Sequence, residues 1–171
     1  NRLSFTADGK KIFFSARSQG KDRLIVFDIE KRTIVKRIAP AVDMVMMPRI
    51  SLDGKYAVFV GATLGVTDVY RIHLETGKTD KITDDNFSEK DPTLSADAKY
   101  IVYSSNKNNE GNLESATYHL FEKNLETHET RQLTHETGKQ TSAQFYENKS
   151  NDKILFVSNH TGIQNIYILD R

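Results

Sequence analysis

The sequence predicts an all-β fold in which one antiparallel unit of four strands occurs four times. Three observations support this prediction. A short turn followed by an apolar run recurs along the chain. Val, Ile, Phe, Tyr and Thr are concentrated in short runs that Gly, Asp and Asn separate, which is typical of strands joined by tight turns. No stretch shows the sustained 3.6-residue periodicity of an amphipathic helix.

The recurring turn and the strand after it define the repeat. The turns are Asp8-Gly9, Asp53-Gly54, Asp97-Ala98 and Asn151-Asp152, and the apolar strands after them begin at Ile12, Ala57, Ile101 and Ile154. An Asp-Gly pair favours a tight hairpin because such turns need positive φ angles. The aspartates of the four turns are separated by 45, 44 and 55 residues, so the third unit carries an insertion.

A third and a fourth strand complete each unit. The third strands begin at Leu24, Val69, Leu120 and Ile166, and the fourth strands are Ile34–Ile38, Thr79–Thr83 and Thr130–Thr134, with no counterpart in the last unit. The second strand is apolar on both faces, whereas the third alternates, with Tyr70 and Ile72 on one face and Arg71 on the other. A radial stack of sheets, each covering the next, explains this gradient.

These features favour a β-propeller, in which a repeat of about 40–45 residues forms one blade. The blades are expected at approximately 1–39, 40–84, 85–135 and 136–171. The chain starts with Asn1 directly before one apolar run and stops at Arg171 directly after another. We therefore interpret it as part of a longer chain.

Charge and composition exclude several classes of protein. Lys and Arg number 24 against 23 Asp and Glu, which excludes bulk electrostatic attraction to nucleic acid or to an anionic membrane. No apolar run approaches the roughly 18 residues that cross a bilayer. There is no cysteine, so disulfides and thiolate catalysis are excluded. We expect neither a nucleic-acid partner nor membrane insertion.

Two segments resemble the TolB-type propeller repeat, also called PD40. They are Pro48–Phe59 and Asp91–Ile101, in which a strand leads through Ser-x-Asp-x-Lys into an apolar strand. Glu75-Thr76-Gly77 followed by Ile82-Thr83 matches the end of that repeat. The proline that usually precedes Asp-Gly is replaced by Ala7, Leu52 and Ala96, and Ala98 stands where glycine is usual. The chain has no Trp, so the Trp-Asp signature of WD40 repeats is missing.

The resemblance implies a propeller of six to eight blades in the whole protein. Relatives are exported bacterial proteins that bind other proteins or carbohydrate. The resemblance therefore implies a non-enzymatic scaffold in the periplasm, at the cell envelope or outside the cell, with a protein partner and possible glycan binding. The alternative is the propeller that gates a prolyl-oligopeptidase-type serine peptidase whose catalytic domain is absent from this chain. A fold alone does not choose between these functions.

No motif in the sequence predicts catalysis, a cofactor or a metal. The Gly-x-Ser-x-Gly elbow of serine hydrolases is missing. His128-Glu129 and His135-Glu136 lack the second histidine of a zinc-protease helix. The segment 84–91 is rich in oxygen ligands but lacks the alternating spacing of an EF-hand loop. We interpret it as a solvated loop between blades, with Asp91 accepting hydrogen bonds from backbone amides.

Two loops are candidates for partner binding, because binding concentrates on the loops of a propeller. The first is the predicted between-blade loop 41–47, which holds Met44, Met46 and Met47, the three methionines of the chain. Flexible methionine suits adaptable contacts, but these side chains could instead pack beneath the next blade. The second is the insertion 106–119 with Asn108, Asn109 and Asn112, for which a merely tolerated insertion is the alternative. Exposed blade edges also allow self-association.

Overall fold

The computed structural model describes residues 3–107, 117–146 and 153–171, and all regular structure in these ranges is β-strand. The chain divides into two compact units, Asn1–Asp85 and Asn86–Arg171. Each unit holds two antiparallel sheets, which we call blades 1 and 2 in the first unit and blades 3 and 4 in the second. Among the described residues, no helix is long and apolar enough to cross a membrane.

In the first unit, the strands of each blade lie side by side in chain order. Blade 1 contains β1 (Ser4–Phe5), β2 (Lys11–Ser18), β3 (Lys21–Asp28) and β4 (Thr33–Ile38). Blade 2 contains β5 (Met44–Ile50), β6 (Tyr56–Thr63), β7 (Val66–His73) and β8 (Thr79–Lys81). Every residue of β6 from Ala57 to Ala62 is buried, which confirms that the second strand of this blade is covered on both faces.

The second unit repeats this order. Blade 3 contains β9 (Glu89–Leu94), β10 (Tyr100–Ser105), β11 (His119–Asn124) and β12 (Thr130–Gln132). Blade 4 contains β13 (Gln140–Phe145), β14 (Lys153–Ser158) and β15 (Asn165–Asp170). The predicted all-β architecture of four antiparallel sheets is therefore confirmed, and the last sheet has three strands among the described residues.

The core of each unit lies where its two blades pack face to face. In the first unit, Phe13 and Leu24 of blade 1 pack with Phe59 and Ile72 of blade 2, and all four side chains are fully buried. In the second unit, the corresponding cluster is formed by Val102, Leu120, Ala143, Phe145, Ile154 and Phe156. Burial of these apolar faces is the main favourable contribution to folding.

One contact between blades is apolar in the first unit and charged in the second. Strand register makes Val26 of blade 1 equivalent to Glu122 of blade 3. The first residue of the second strand pairs with Asp28 in blade 1 and with Asn124 in blade 3, and Val26 and Glu122 each lie two residues before that partner. In blades 2 and 4, Leu74 and Arg171 are equivalent because each directly follows the residue that pairs with the first residue of the second strand. Val26 and Leu74 share an apolar cluster, whereas Glu122 forms an ion pair with Arg171.

The ion pair around Glu122 is largely shielded from water. The side chain of Glu122 is 5% exposed and that of Arg171 is 16% exposed. Arg131 Nε donates a second hydrogen bond to Glu122 Oε1 at 2.9 Å. The guanidinium of Arg171 lies 3.6 Å from the centroid of the Tyr100 ring, a cation–π contact.

The turn before the second strand is held by one repeated hydrogen-bond pattern. In blade 2, Ser51 Oγ donates to Asp53 Oδ1 at 2.6 Å, and the Lys55 N–H donates to the same oxygen at 3.0 Å. Burial raises the pKa of Asp53, but these two hydrogen bonds outweigh it and hold the pKa below its usual value. Ser95, Asp97 and Lys99 repeat the pattern in blade 3.

Replacing Ala98 by glycine is expected to stabilise the chain. Ala98 has φ 57°, where the equivalent Gly54 has φ 69°. A side chain in this left-handed region costs about 1–2 kcal/mol, and the greater freedom of glycine in the unfolded chain returns about half of that. Urea denaturation of Ala98→Gly should therefore show a free energy of unfolding higher by about 0.5–1 kcal/mol.

The matched control is Gly54→Ala in blade 2, which should lower the free energy of unfolding by a similar amount. Space is not the cause, because nothing lies within 4 Å of a Cβ atom built on Gly54. Equal stability of Ala98→Gly and the unchanged chain would show that this turn carries no backbone strain.

Candidate functional site

The structure places the three methionines in strand β5 and not in a loop between blades. Met44 is the first residue of β5 and pairs with Ala62, and Met46 pairs with Val60. The prediction of a loop through Met47 is therefore wrong, because the bends end at Asp43. A β-bulge between Met46 and Arg49, with Met47 at φ 50°, accommodates an extra residue within a paired strand.

The three methionines differ in how much of each side chain is exposed. Met44 is 46% exposed, whereas Met46 and Met47 are half-buried. Val45 between them is buried against blade 1, whose Asp22 Oδ2 accepts a hydrogen bond from the Val45 N–H at 3.0 Å. Of the three, Met44 is the one that presents a large apolar surface at the end of the blade.

Leu64, which the sequence analysis did not single out, is the most exposed large apolar residue at this end. It forms the β6–β7 turn with Gly65, at φ 52° and 87°, and its side chain is 94% exposed. Two central residues with positive φ are the geometry of a type I′ turn, where Asn-Gly is the usual pair. A Leu-Gly pair between two strand patterns was the sequence signal that could have revealed this turn, although it does not by itself indicate binding.

Hydrogen bonds join this turn to the start of β5. The Leu64 N–H donates to Asp43 Oδ2 at 3.3 Å, and the Asp43 N–H donates to the Ala62 carbonyl at 3.0 Å. We call residues 42–44 with Leu64 and Gly65 the blade-2 tip. A groove of about 410 Å³ beside the tip is lined by Gly20, Lys21, residues 40–43 and Thr63. The tip thus presents two apolar side chains next to a groove with charges of both signs.

Gly61 allows the side chains below the tip to pack closely. A Cβ atom on Gly61 would lie 2.6 Å from Tyr70 Cε2 and 3.0 Å from Val42 Cγ1. The Tyr70 ring can therefore lie over the strand and stack on Phe59, with centroids 5.3 Å apart. Val42, which belongs to the blade-2 tip, also lies close to Gly61.

The second predicted binding loop falls largely outside the described residues, and Asn108, Asn109 and Asn112 all lie there. Its described flanks are anchored. Asn106 Oδ1 accepts a hydrogen bond from the Ser88 N–H at 2.7 Å. Lys90 Nζ lies 3.3 Å from the centroid of the Tyr118 ring, and burial lowers the pKa of Lys90 and raises that of Tyr118.

Part of the acidic segment 84–91 has a structural role. Glu89 and Asp91 are buried in β9, so the expectation of a solvated loop is wrong for these residues. Ser105 Oγ donates to Glu89 Oε1 at 2.8 Å, and the Ser142 N–H donates to Asp91 Oδ2 at 3.1 Å. Asp91 was expected to accept hydrogen bonds from the backbone amides before Pro92, whereas this donor belongs to Ser142 of blade 4. The described residues contain no group of three or more side chains placed to hold a metal ion.

Comparison with known proteins identifies similar folds. No family model and no curated protein matches the sequence. The crystal structure of TolB from Acinetobacter baumannii matches at a TM-score of 0.77 and 17% identity, over 99% of this chain and 40% of that chain. A structure described as TolB from Agrobacterium tumefaciens matches at 0.76 and 16%, over 98% of this chain and 57% of that one.

Propellers of other proteins match less closely. A structure from a study of two prolyl endopeptidases has a TM-score of 0.65 and 17% identity, over 99% of this chain and 26% of that chain. This chain spans about 40–57% of the length of the two TolB structures. At these identities the comparisons show the β-propeller fold and carry no residue roles.

Proposed function

We propose that this chain, whose fold is that of a TolB-like β-propeller, is a non-enzymatic protein-binding scaffold of the bacterial envelope that contacts its partner through the blade-2 tip. The observation that carries the proposal is Leu64, which is 94% exposed and has a left-handed backbone conformation. The envelope location rests on the resemblance of the repeat to TolB-type sequences.

Leu64 is unfavourable for the stability of the turn in two ways. A bulky side chain rarely adopts a positive φ, and an exposed aliphatic side chain gains nothing from the hydrophobic effect. Asparagine at this position would fit the turn better. Burying a leucine side chain in a partner's pocket would contribute about 1.5–3 kcal/mol to binding. Leu64 would therefore stabilise a complex, although it does not stabilise the free chain.

The chemistry around Leu64 favours a protein partner over a glycan. Met44 is flexible and polarisable, so it can adapt to an irregular protein surface. Lys21 and Asp43 line the neighbouring groove and supply the polar rim that protein interfaces have around an apolar centre. The tip holds no aromatic ring on which a sugar could stack.

Replacing Leu64 by asparagine is expected to stabilise the chain and to weaken partner binding. The free energy of unfolding should rise by about 0.5–1 kcal/mol because the turn loses its strain. The dissociation constant for the partner should increase at least about tenfold because the apolar anchor is lost. The partner is isolated by affinity capture from envelope extract, identified by mass spectrometry and purified, and its affinity is measured by calorimetry.

Blade 1 supplies a matched control for this substitution. Gln19 and Gly20 form the equivalent turn, at φ 53° and 77°. Gln19→Asn should stabilise the chain as Leu64→Asn does and leave partner affinity unchanged. Unchanged affinity of Leu64→Asn would place the binding surface elsewhere. Labelling of the intact protein by a fluorophosphonate probe would support the serine-peptidase alternative, and we expect no label.

A further inference from the structure

Two lysines and a tyrosine of the second unit lie together where blades 3 and 4 meet. Lys90 of β9 has its Nζ atom 3.3 Å from the centroid of the Tyr118 ring. Tyr118 and Lys139 form an isolated parallel bridge, so their side chains project from the same side of the backbone. We call Lys90, Tyr118 and Lys139 the two-lysine cluster.

Hydrogen bonds of the backbone hold the cluster in place. The Tyr118 N–H donates to the Gly138 carbonyl at 3.1 Å, and the Gln140 N–H donates to the Tyr118 carbonyl at 2.7 Å. The Lys139 N–H donates to Asn159 Oδ1 at 2.7 Å. Tyr118 and Lys139 are therefore held side by side by the chain itself.

The charges of the cluster are not balanced by an ion pair. In the described part of the chain, neither Lys90 nor Lys139 forms an ion pair or a side-chain hydrogen bond. Burial lowers the pKa of Lys90, the charge of Asp91 opposes this shift, and the charge of Lys139 adds to it. The buried carboxylates of Glu89 and Asp91 accept hydrogen bonds from other residues. A half-buried ammonium group beside a second one is unfavourable, and an anionic ligand would offset that cost.

The lysines are not required by the fold. Lys90 is equivalent to Met46 of blade 2, because each pairs with the fifth residue of the second strand. Lys139 is equivalent to Met44, because each directly precedes the residue that pairs with the sixth residue of that strand. Blade 2 thus has an uncharged side chain of similar length at both positions, so packing alone does not explain two positive charges in the second unit.

The first unit has a carboxylate where the second unit has the tyrosine. Asp22 and Tyr118 are equivalent, because each directly precedes the partner of the sixth residue of the second strand. Asp22 Oδ2 accepts a hydrogen bond from the Val45 N–H at 3.0 Å. The second unit therefore lacks the carboxylate of the first unit at this place and carries two ammonium groups there.

We propose that the two-lysine cluster binds the carboxylate of an acidic residue in a partner polypeptide, with each ammonium group donating to one carboxylate oxygen. Ammonium groups have donors and no acceptor, so they select an anion. A carboxylate carried by a polypeptide is favoured because the side chain of Asp22 supplies one at the equivalent place in the first unit. The proposal is independent of the function proposed for the blade-2 tip.

The test is an NMR titration of the ¹⁵N-labelled chain with two heptapeptides that have blocked ends. One is Gly-Glu-Ala-Glu-Ala-Glu-Gly, and the matched control has Gln in place of each Glu. We expect the Glu peptide to shift the amide signals of Lys90 and Lys139 and to bind at least about fivefold more tightly than the Gln peptide. Equal binding of the two peptides, or unchanged signals of Lys90 and Lys139, would overturn the proposal.

Small anions distinguish a polypeptide ligand from other sources of negative charge. Sodium acetate and inorganic phosphate are titrated separately into the same sample. Both are expected to bind more weakly than the Glu peptide. Acetate that binds as tightly as the peptide at equal carboxylate concentration would assign the cluster to a small carboxylate. Tighter binding of phosphate would assign it to a phosphate group, and either result would overturn the proposal.

Substitutions locate the binding in the cluster. Lys90→Met and Lys139→Met introduce the residues of blade 2, so both variants should fold, and each should lower the affinity for the Glu peptide at least about fivefold. Lys31→Met removes an exposed lysine of blade 1 and should leave the affinity unchanged. Full affinity in both cluster variants would overturn the proposal. Binding that appears only after Glu110→Gln with Glu114→Gln would also overturn it, because the chain itself would then supply the carboxylate.

Discussion

Replacing Glu122 by valine is expected to lower the free energy of unfolding by about 2–4 kcal/mol, although valine occupies the equivalent position in blade 1. The reason is that the guanidinium groups of Arg131 and of the largely buried Arg171 both lose the carboxylate with which they form ion pairs. The desolvation of Arg171 is then less well compensated. Urea denaturation measures the loss, and circular dichroism checks that the variant is folded.

The double variant Glu122→Val with Arg171→Leu should recover most of this loss. It replaces the ion pair by the apolar contact that Val26 and Leu74 make in the first unit. A double-mutant cycle over the two positions should therefore show a coupling energy of at least about 1 kcal/mol. Additive effects of the two single substitutions would show that Glu122 and Arg171 do not depend on one another.

Replacing Gly61 by alanine is expected to lower the free energy of unfolding by about 1–3 kcal/mol. The added methyl group would overlap the Tyr70 ring at 2.6–2.8 Å and press on Val42 at 3.0 Å. The ring would have to leave its stacked position on Phe59. Because Val42 belongs to the blade-2 tip, the amide signal of Met44 should shift as well. Thermal unfolding and NMR measure the two effects.

The same substitution in a Tyr70→Leu background separates overlap from strand propensity. Leucine can move away from the new methyl group, so Gly61→Ala should cost less than half as much in this background. An equal cost in both backgrounds would show that close packing of the ring is not the reason for glycine at this position.

The sequence predicted the strands because their signals are local. Asp-Gly turns, apolar second strands and alternating third strands each depend on a few neighbouring residues, and β2, β6, β10 and β14 were all anticipated. The boundary at Met44 was missed because a β-bulge has no local signature. Met47 and Pro48 interrupt the alternation, and only pairing with β6 shows that they lie within a strand.

The candidate site was predicted only in part for the same reason. Met44 was named as a candidate because it was expected in a loop between two blades, although it begins strand β5. Leu64 was not named, because a leucine in a turn gives no binding signal by itself. Its significance depends on its exposure, its positive φ and its hydrogen bond to Asp43. The hydrogen bond joins the β6–β7 turn to the segment before β5, 21 residues earlier in the sequence, so neighbouring residues alone do not reveal it.

The repeat, the all-β class and the order of strands were predictable from the amino-acid sequence, since turn chemistry and alternation of apolar residues specify them locally. Which equivalent positions meet across blades depends on how the sheets pack. This packing brings Glu122 to Arg171, where the first unit joins Val26 to Leu74. Such contacts join residues about 50 positions apart, so no local pattern records them, and only the packing of one sheet on the next determines their chemistry.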